Sequence, residues 1–465
     1  SFLVSLVIAV ALEFGLQSAR SLAPMRALDE LGVDWLIMLY RGGESVAPCP
    51  VPIAFVAIDE DTFETWNRPA ITPRAKLAEL IHFVLSQRPL LVVVDLDLER
   101  VAEPPGDAML ARELGAYSRR PDSPPLLLVA PVAPTQGRRS GGLERRVHSF
   151  LDSALSPTGA VAWASVDFFA EPGRRVRRWR LWESVVDTIG AHTVVEALPS
   201  VQLLAASYIR ASQSIRGRRC GAFDPVPLDQ VEFGIKQGIL EATESYGGGH
   251  FFAGGRIEIT VPQTSLGQRI VYRYPATLRA GERYPLMPDN RNEALTVLPA
   301  RLATGDLAKA GVSGELIRGR IVVIGASYRE SGDLYNTPLG EMPGALILIN
   351  SIASLLDFGE VREIAGWARY AMVVTLILAL SLIFTTFEWN MASGVAALAI
   401  CVPVMLAAVL LFRDGYFLDF IIPPLSILAH RWAARTESRA AAMKRQAVAR
   451  HPAGEASRSA KGGTG

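Results

Sequence analysis

The sequence predicts an α/β domain held outside the cytoplasm, with some antiparallel β, plus α-helical transmembrane segments. Three observations carry that class. β-Branched runs without polar alternation recur at residues 53–58, 90–94, 126–129 and 321–324, the pattern of strands buried on both faces of a parallel sheet. Apolar stripes at helical spacing lie between some of them. Long, nearly uncharged stretches crowd the two ends of the chain. Of the 465 residues, 50% are hydrophobic and 20% charged, whereas a soluble domain carries about 25% charge. The excess apolar content therefore sits in the end stretches, with an ordinary globular region between them. At about 100–200 residues per domain, the length allows two or three domains.

Residues 2–16 are apolar apart from Ser5 and Glu13, short of the roughly 20 residues of a span. An uncleaved anchor and a signal peptide are the two readings, and the membrane-bound opposite end favours the anchor. The run 53–58 is the first strand. A helix follows over residues 73–85, with Leu77, Leu80, Ile81, Val84 and Leu85 as its stripe and Thr72 and Pro73 as cap and first position. Strand 90–94 completes a β–α–β unit. Residues 103–106, 131–142 and 246–250 read as linkers or turns. Further helices are predicted at 198–209 and 344–356, and antiparallel pieces at 255–261 and 269–274.

Three apolar stretches close the chain: residues 370–384, residues 391–412, and residues 416–429 with Pro423 and Pro424 inside the last. Arg413, Asp414 and Gly415 make a polar turn between the second and third. Arg431, Arg435, Arg439, Lys444, Arg445 and Arg450 follow, and such basic clusters mark the cytoplasmic side. Counting back through three spans leaves the long middle region outside. The domains expected are an anchor at residues 1–19, an extracytoplasmic domain at 20–366, a three-helix transmembrane bundle at 367–432 and a disordered basic cytoplasmic tail at 433–465.

The charge balance, 47 Lys+Arg against 46 Asp+Glu, gives no electrostatic draw towards nucleic acid. Three cysteines exclude a disulfide-rich scaffold and a zinc ribbon. Cys401 lies in an apolar run, whereas Cys49 and Cys220 pair if their compartment is oxidising. The six histidines show no HExxH spacing and no G-x-S-x-G elbow occurs, so neither catalysis nor a cofactor is expected.

Two predicted strands end in the carboxylates of Asp59 and Asp95. Ligands bind outside the carboxyl ends of strands in open α/β sheets. Adjacent strands bring such carboxylates together, and their repulsion then asks for a proton, an Arg or a hard cation such as Mg or Ca. The plain alternative is that the two acids cap helices or pair with Arg68 or Arg74. Residues 322–327 form a strand running into a small-residue turn, either an anion-approaching backbone or a tight junction. The run Arg174, Arg175, Arg177, Arg178 and Arg180 reads as the basic strand of an antiparallel pair, with anion or partner binding as the alternative. Residues 333–344 hold Asp333, Tyr335, Asn336 and Thr337, stiffened by Pro338 and Pro343. They either line a binding site or merely connect.

Several of these blocks carry a family resemblance. Phe55, Val56, Ala57, Ile58 and Asp59, followed by Trp66, Pro73 and Arg74, form one. Val92, Val93, Val94 and Asp95 form another. The hairpin at 168–178, the helix after Pro199 and Ser200, the stretch 319–327 continuing into 333–338, Met342-Pro343-Gly344 and the helix bearing Asn350 complete the set. From about residue 20 to 430 the chain resembles the CHASE sensory domains of the second type, extracytoplasmic modules of bacterial cyclases and histidine kinases. Leu348 stands where that family often has His, and Ala70 and Ile71 stand near its usual second Trp. The resemblance implies a membrane-anchored sensory or binding protein of the bacterial inner membrane, passing a signal through its C-terminal bundle. Its implied partners are a small ligand or protein outside, the lipid bilayer, and other membrane subunits. Candidate binding residues are Asp59, Arg74, Asp95, Asp333, Tyr335, Asn336 and Thr337. A structural accessory subunit is the alternative. An enzyme using Asp59 and Asp95 is a third class, and it lacks a paired nucleophile or base.

Overall fold

The computed structural model describes residues 23–120, 123–134, 144–156, 158–189, 192–216, 219–245, 248–280, 282–287, 293–304, 314–386, 391, 394–395, 397–418, 420 and 443. The anchor expected at 1–19, most of the third apolar stretch and, Met443 apart, the basic tail lie outside the described residues. The chain divides into two compact units, residues 37–362 and residues 1–36 with 363–465.

The larger unit is built on a parallel sheet. Its strands are β1 (Ile53–Ile58), β2 (Leu91–Asp95), β3 (Leu126–Val129), β4 (Val161–Ala164), β5 (Leu295–Pro299) and β6 (Ile321–Ala326). They lie in the order β5–β1–β6–β2–β3–β4, and every pairing is parallel. All six residues of β1 are buried, which explains the lack of polar alternation in its sequence: both faces meet other layers. Ala54, Val56 and Ile58 join Leu77, Leu80, Ile81 and Val84 of α1 (Arg74–Ser86) and Leu110 and Leu114 of α2 (Pro104–Ser118) in one core. Ile53, Phe55 and Ala57 are equally buried on the opposite face. There α3 (Val201–Ser212) and α5 (Gly344–Asp357) pack against each other and against the sheet. Each fully buried Val, Leu, Ile or Phe side chain stabilises the fold by roughly 1.5–3 kcal/mol.

β6 lies between β1 and β2, with Ile58 opposite Ala326 and Asp95 opposite Gly325. The expected adjacency of the β1 and β2 ends is therefore corrected: a strand from far along the chain fills the gap. Gly325 is small for a packing reason, since a Cβ there would meet the Ala345 Cβ at 2.5 Å. The turn after β6 is a tight junction, its Ser327 N–H donating to Ile58 O at 2.9 Å.

The basic run is a strand of an antiparallel pair, Phe168–Glu171 with Arg175–Trp179. Arg177 pairs with Glu171, and Arg178 meets the same carboxylate at 2.7 Å. The helix predicted at 198–209 begins at Val201, because Ser200 caps it by accepting from the Leu203 N–H at 3.3 Å. The segment 255–261 contributes the strand Ile257–Val261, which pairs with Gly249–Ala253. The expected antiparallel piece at 269–274 is short: Arg269 bridges Arg178 antiparallel and the Ile270 amide donates to Arg177 O at 2.9 Å, and residues 271–274 form no strand. The amides of Arg273 and Tyr274 donate to Asn350 Oδ1, both at 2.8 Å, and that of Val271 donates to Ser354 Oγ at 3.0 Å. A helix's polar stripe stands in for a neighbouring strand.

In the smaller unit, Gly366–Thr386 is a 21-residue helix, and Val402–Arg413 follows a π-helical turn at Ala397–Cys401. Leu376 and Ile400 pack together. The turn at Asp414 and Gly415 closes with amides donating to Leu411 and Phe412 carbonyls. Among the described residues no helix is long and apolar enough to cross a membrane.

Candidate ligand site

β2, β3 and β6 all end at one cleft of about 490 Å³ in the larger unit, where Asp95, Val129 and Ala326 come together. Asp95 is the last residue of β2. Burial, and then the charge of Asp333, push its carboxyl up to about 7. Among the described residues no donor or cation pairs with it. Asp333 lies on the loop after β6 and is also raised by burial. Hydrogen bonds from Tyr335 and the Gly344 amide, and the charge of Arg174, act the other way. Gly344 opens α5, and a Cβ there would lie 2.4 Å from the Asp333 carboxylate. The glycine thus lets a carboxylate rest on a helix start, where the helix dipole favours negative charge.

The rest of the loop is fixed from outside. Arg174 lies over the Tyr335 ring at 4.7 Å and donates to Gly332 O at 2.7 Å. Asn336 Nδ2 donates to Gly173 O at 2.8 Å, and Thr337 Oγ1 donates to Gly340 O at 2.6 Å. Asn336 and Thr337 thus lock the turn that holds Tyr335 beside Asp333.

Asp59 stands at the end of β1, where its Oδ1 accepts from Thr62 N at 2.9 Å and Thr62 Oγ1 at 2.5 Å. It caps the short helix Glu60–Thr65. With β6 between it and Asp95, the two acids do not form the juxtaposed cation pair considered from sequence. Arg74 is 2% exposed, faces Asp107 at 3.5 Å and donates to Asp97 O at 2.8 Å. It anchors the connection after β2 that forms one wall of the cleft.

The family model described as CHASE2 domain matches residues 4–386. The chain belongs to the CHASE2 family. Comparison with curated proteins and with solved structures gives no match. CHASE2 domains are extracytoplasmic sensory modules, typically non-catalytic. In this CHASE2 domain the family-like blocks converge: the ends of β2 and β6, the 333–344 loop and α5 surround or adjoin the cleft. Asn350, one of the family-like residues, is fully buried and structural, its Nδ2 donating to Tyr274 O and Leu346 O at 2.9 Å.

Sequence reasoning missed Thr72, Tyr328 and Ser331 as lining residues. A signal was present, since Tyr328 and Ser331 sit in the turn after β6 that also carries Asp333. Cys49 and Cys220 form a disulfide. A second acidic group, Glu144, Asp167 and Glu183, surrounds Arg180 at 3.9, 3.0 and 3.5 Å. Burial pushes Glu183 up to about 7 despite that guanidinium. Arg180 already supplies the positive charge a cation would bring.

Proposed function

We propose that this CHASE2 chain is a membrane-anchored sensor that takes a small ligand into the cleft at the C-terminal edge of its parallel sheet and relays occupancy along α5. The cleft carries the reading. Its volume of about 490 Å³ suits a small molecule, and it lies where α/β sheets bind ligands. Asp95 and Asp333 are the proposed ligand-facing residues; Tyr335, Arg74, Asn336 and Thr337 hold the segments that carry them, and Asp59 caps the helix after β1. α5 starts against the Asp333 carboxylate and is buried from Gly344 to Leu356. It ends at Asp357, which pairs with Arg273 at 2.7 Å. Such an element passes a shift only if the ligand prefers one of its two positions.

Membrane anchoring is supported by the uncharged stretches and by Trp367, Tyr370, Val374, Leu378 and Leu382, all exposed along Gly366–Thr386. Contiguous apolar exposure of this kind marks an interaction surface. The Cys49–Cys220 pair supports an oxidising location. A screen of small metabolites by thermal shift on the full chain in detergent tests the cleft. A stabilising compound should lose its effect in Asp95→Asn and Asp333→Ala, with circular dichroism unchanged. Compounds that bind equally well to both variants would overturn the reading. For topology, an oxidation-dependent reporter should work fused near residue 140 and fail near 450.

One observation favours the accessory-subunit alternative. Phe233 and Leu240 on α4 (Leu228–Glu244) and Phe252 on the strand packed beside it are more than half exposed, at 64%, 52% and 56%. Gentle solubilisation discriminates, because a subunit co-migrates with a fixed partner and a self-contained sensor does not.

A further inference from the structure

We propose that the cleft selects an organic cation: a small primary amine whose ammonium sits between Asp95 and Asp333 and whose apolar part lies against Ile71, Leu96, Val129 and Val132. The inference rests on the cleft being the ligand site and adds the chemical class of its occupant.

Among the described residues the lining contains four carboxylates, Asp95, Asp97, Glu99 and Asp333, and no Lys, Arg or His. Two of the four have their own uses. Asp97 accepts from the Glu99 N–H at 2.8 Å, and Glu99 faces Arg100 at 3.5 Å. Asp333 already has Tyr335, the Gly344 amide and the charge of Arg174 acting on it, yet keeps a second carboxylate as its neighbour. Asp95 alone stands without a donor among the described residues. The largest unmet demand in the cleft is therefore for hydrogen-bond donors carrying positive charge, beside Asp95.

An anion is repelled by this lining. A divalent cation asks for six or more oxygens, and among the described residues no third carboxylate joins Asp95 and Asp333 at ligating distance. The rest of the wall includes the aliphatic side chains of Ile71, Leu96, Val129 and Val132, which an alkyl chain covers and a hydrated metal does not use. An ammonium has three donors, two for the carboxylates and one for a hydroxyl such as Ser331 or Thr72.

The test uses the full chain in detergent, titrated calorimetrically with n-butylamine, n-hexylamine, 1-hexanol, MgCl2 and CaCl2. Hexylamine should bind about tenfold or more tightly than hexanol, the ratio expected for a charge-assisted hydrogen bond. Asp95→Asn, which keeps the side chain's shape, should lower amine affinity by a similar factor and leave hexanol unchanged. Val132→Trp should weaken hexylamine more than butylamine. Equal binding of amine and alcohol would overturn the cation class while leaving the cleft as the site. Mg or Ca binding abolished by Asp95→Asn, without amine binding, would replace the amine with a metal. Amine binding that ignores both Asp95→Asn and Val132→Trp would remove the ligand from the cleft, and the site reading would fail with it.

Discussion

Asp95 combines two demands that conflict at neutral pH: a strand-end position inside the sheet's edge and a carboxylate beside another carboxylate. Its folded value near 7 stands above the ordinary 3.8, so between those values the folded state holds the proton more tightly than the unfolded chain. Stability contributed by that proton is complete below about pH 4 and is lost as pH rises through 7. Asp95→Asn should therefore raise the melting temperature at pH 8 and flatten its decline between pH 4 and 7, read by calorimetry across that range. Asn350 shows the opposite situation, a buried polar side chain with every atom used. It accepts from the amides of Arg273 and Tyr274 and donates to two carbonyls. Asn350→Leu fits by volume but strands those amides, so a loss on the order of 3 kcal/mol is expected in urea unfolding. Asn350→Asp keeps the acceptor but sets a buried carboxylate oxygen against the Tyr274 and Leu346 carbonyls, so it should also destabilise, and more at pH 8 than at pH 5.

At the scale of elements, the strands at 53–58 and 126–129 were legible because burial on both faces leaves no other reason for such runs. The helix from Gly344 was legible from its start, where Pro343 precedes a residue that must be small. Of residues 269–274, the first two pair antiparallel with the strand Arg175–Trp179, through the Arg178–Arg269 bridge and the Ile270 amide on Arg177 O; from Val271 on, Asn350 and Ser354 take amides a neighbouring strand would otherwise pair. No local pattern announces that substitution. Asp95 was legible as a site candidate from its place at a strand end, and Asp333 from the dense polar segment that follows the strand 321–324. Their meeting was not, since it depends on β6 inserting beside β2. The β2–α2 connection illustrates how much one buried ion pair supports. The Asp107 carboxylate caps α2 by accepting from the amides of Ala102 and Glu103, both at 2.8 Å, and faces Arg74 at 3.5 Å. Asp107→Ala takes the larger of the two countercharges from a buried guanidinium, leaving it Asp97, and a loss of about 3 kcal/mol is expected from chemical denaturation. The cleft wall held by Arg74 through Asp97 O should loosen with it, seen as faster amide exchange at residues 95–99.

For the whole molecule, the Cys49–Cys220 bond closes a loop with a sequence separation of 171. It ties the segment before β1 to the hairpin Gln213–Arg216 with Arg219–Phe223. A loop of that length places the expected stabilisation at about 2–5 kcal/mol. Reductant, or Cys220→Ser, should lower the melting temperature of the full chain by several degrees without changing its secondary structure. The position of β6 has a further consequence, for the birth of the protein. Until residue 326 has emerged from the ribosome, β1 and β2 each present an unpaired edge on the side that β6 fills, and the β5–β1 and β2–β3–β4 halves of the sheet cannot join. Open edges of that kind invite pairing with other chains, and distant partners make for slow folding. Synthesis therefore delivers a polypeptide whose central sheet cannot close strand by strand as it appears. A nascent chain halted after residue 300 should be protease-sensitive and dependent on holding chaperones, and the yield of finished protein is governed by the arrival of one late strand.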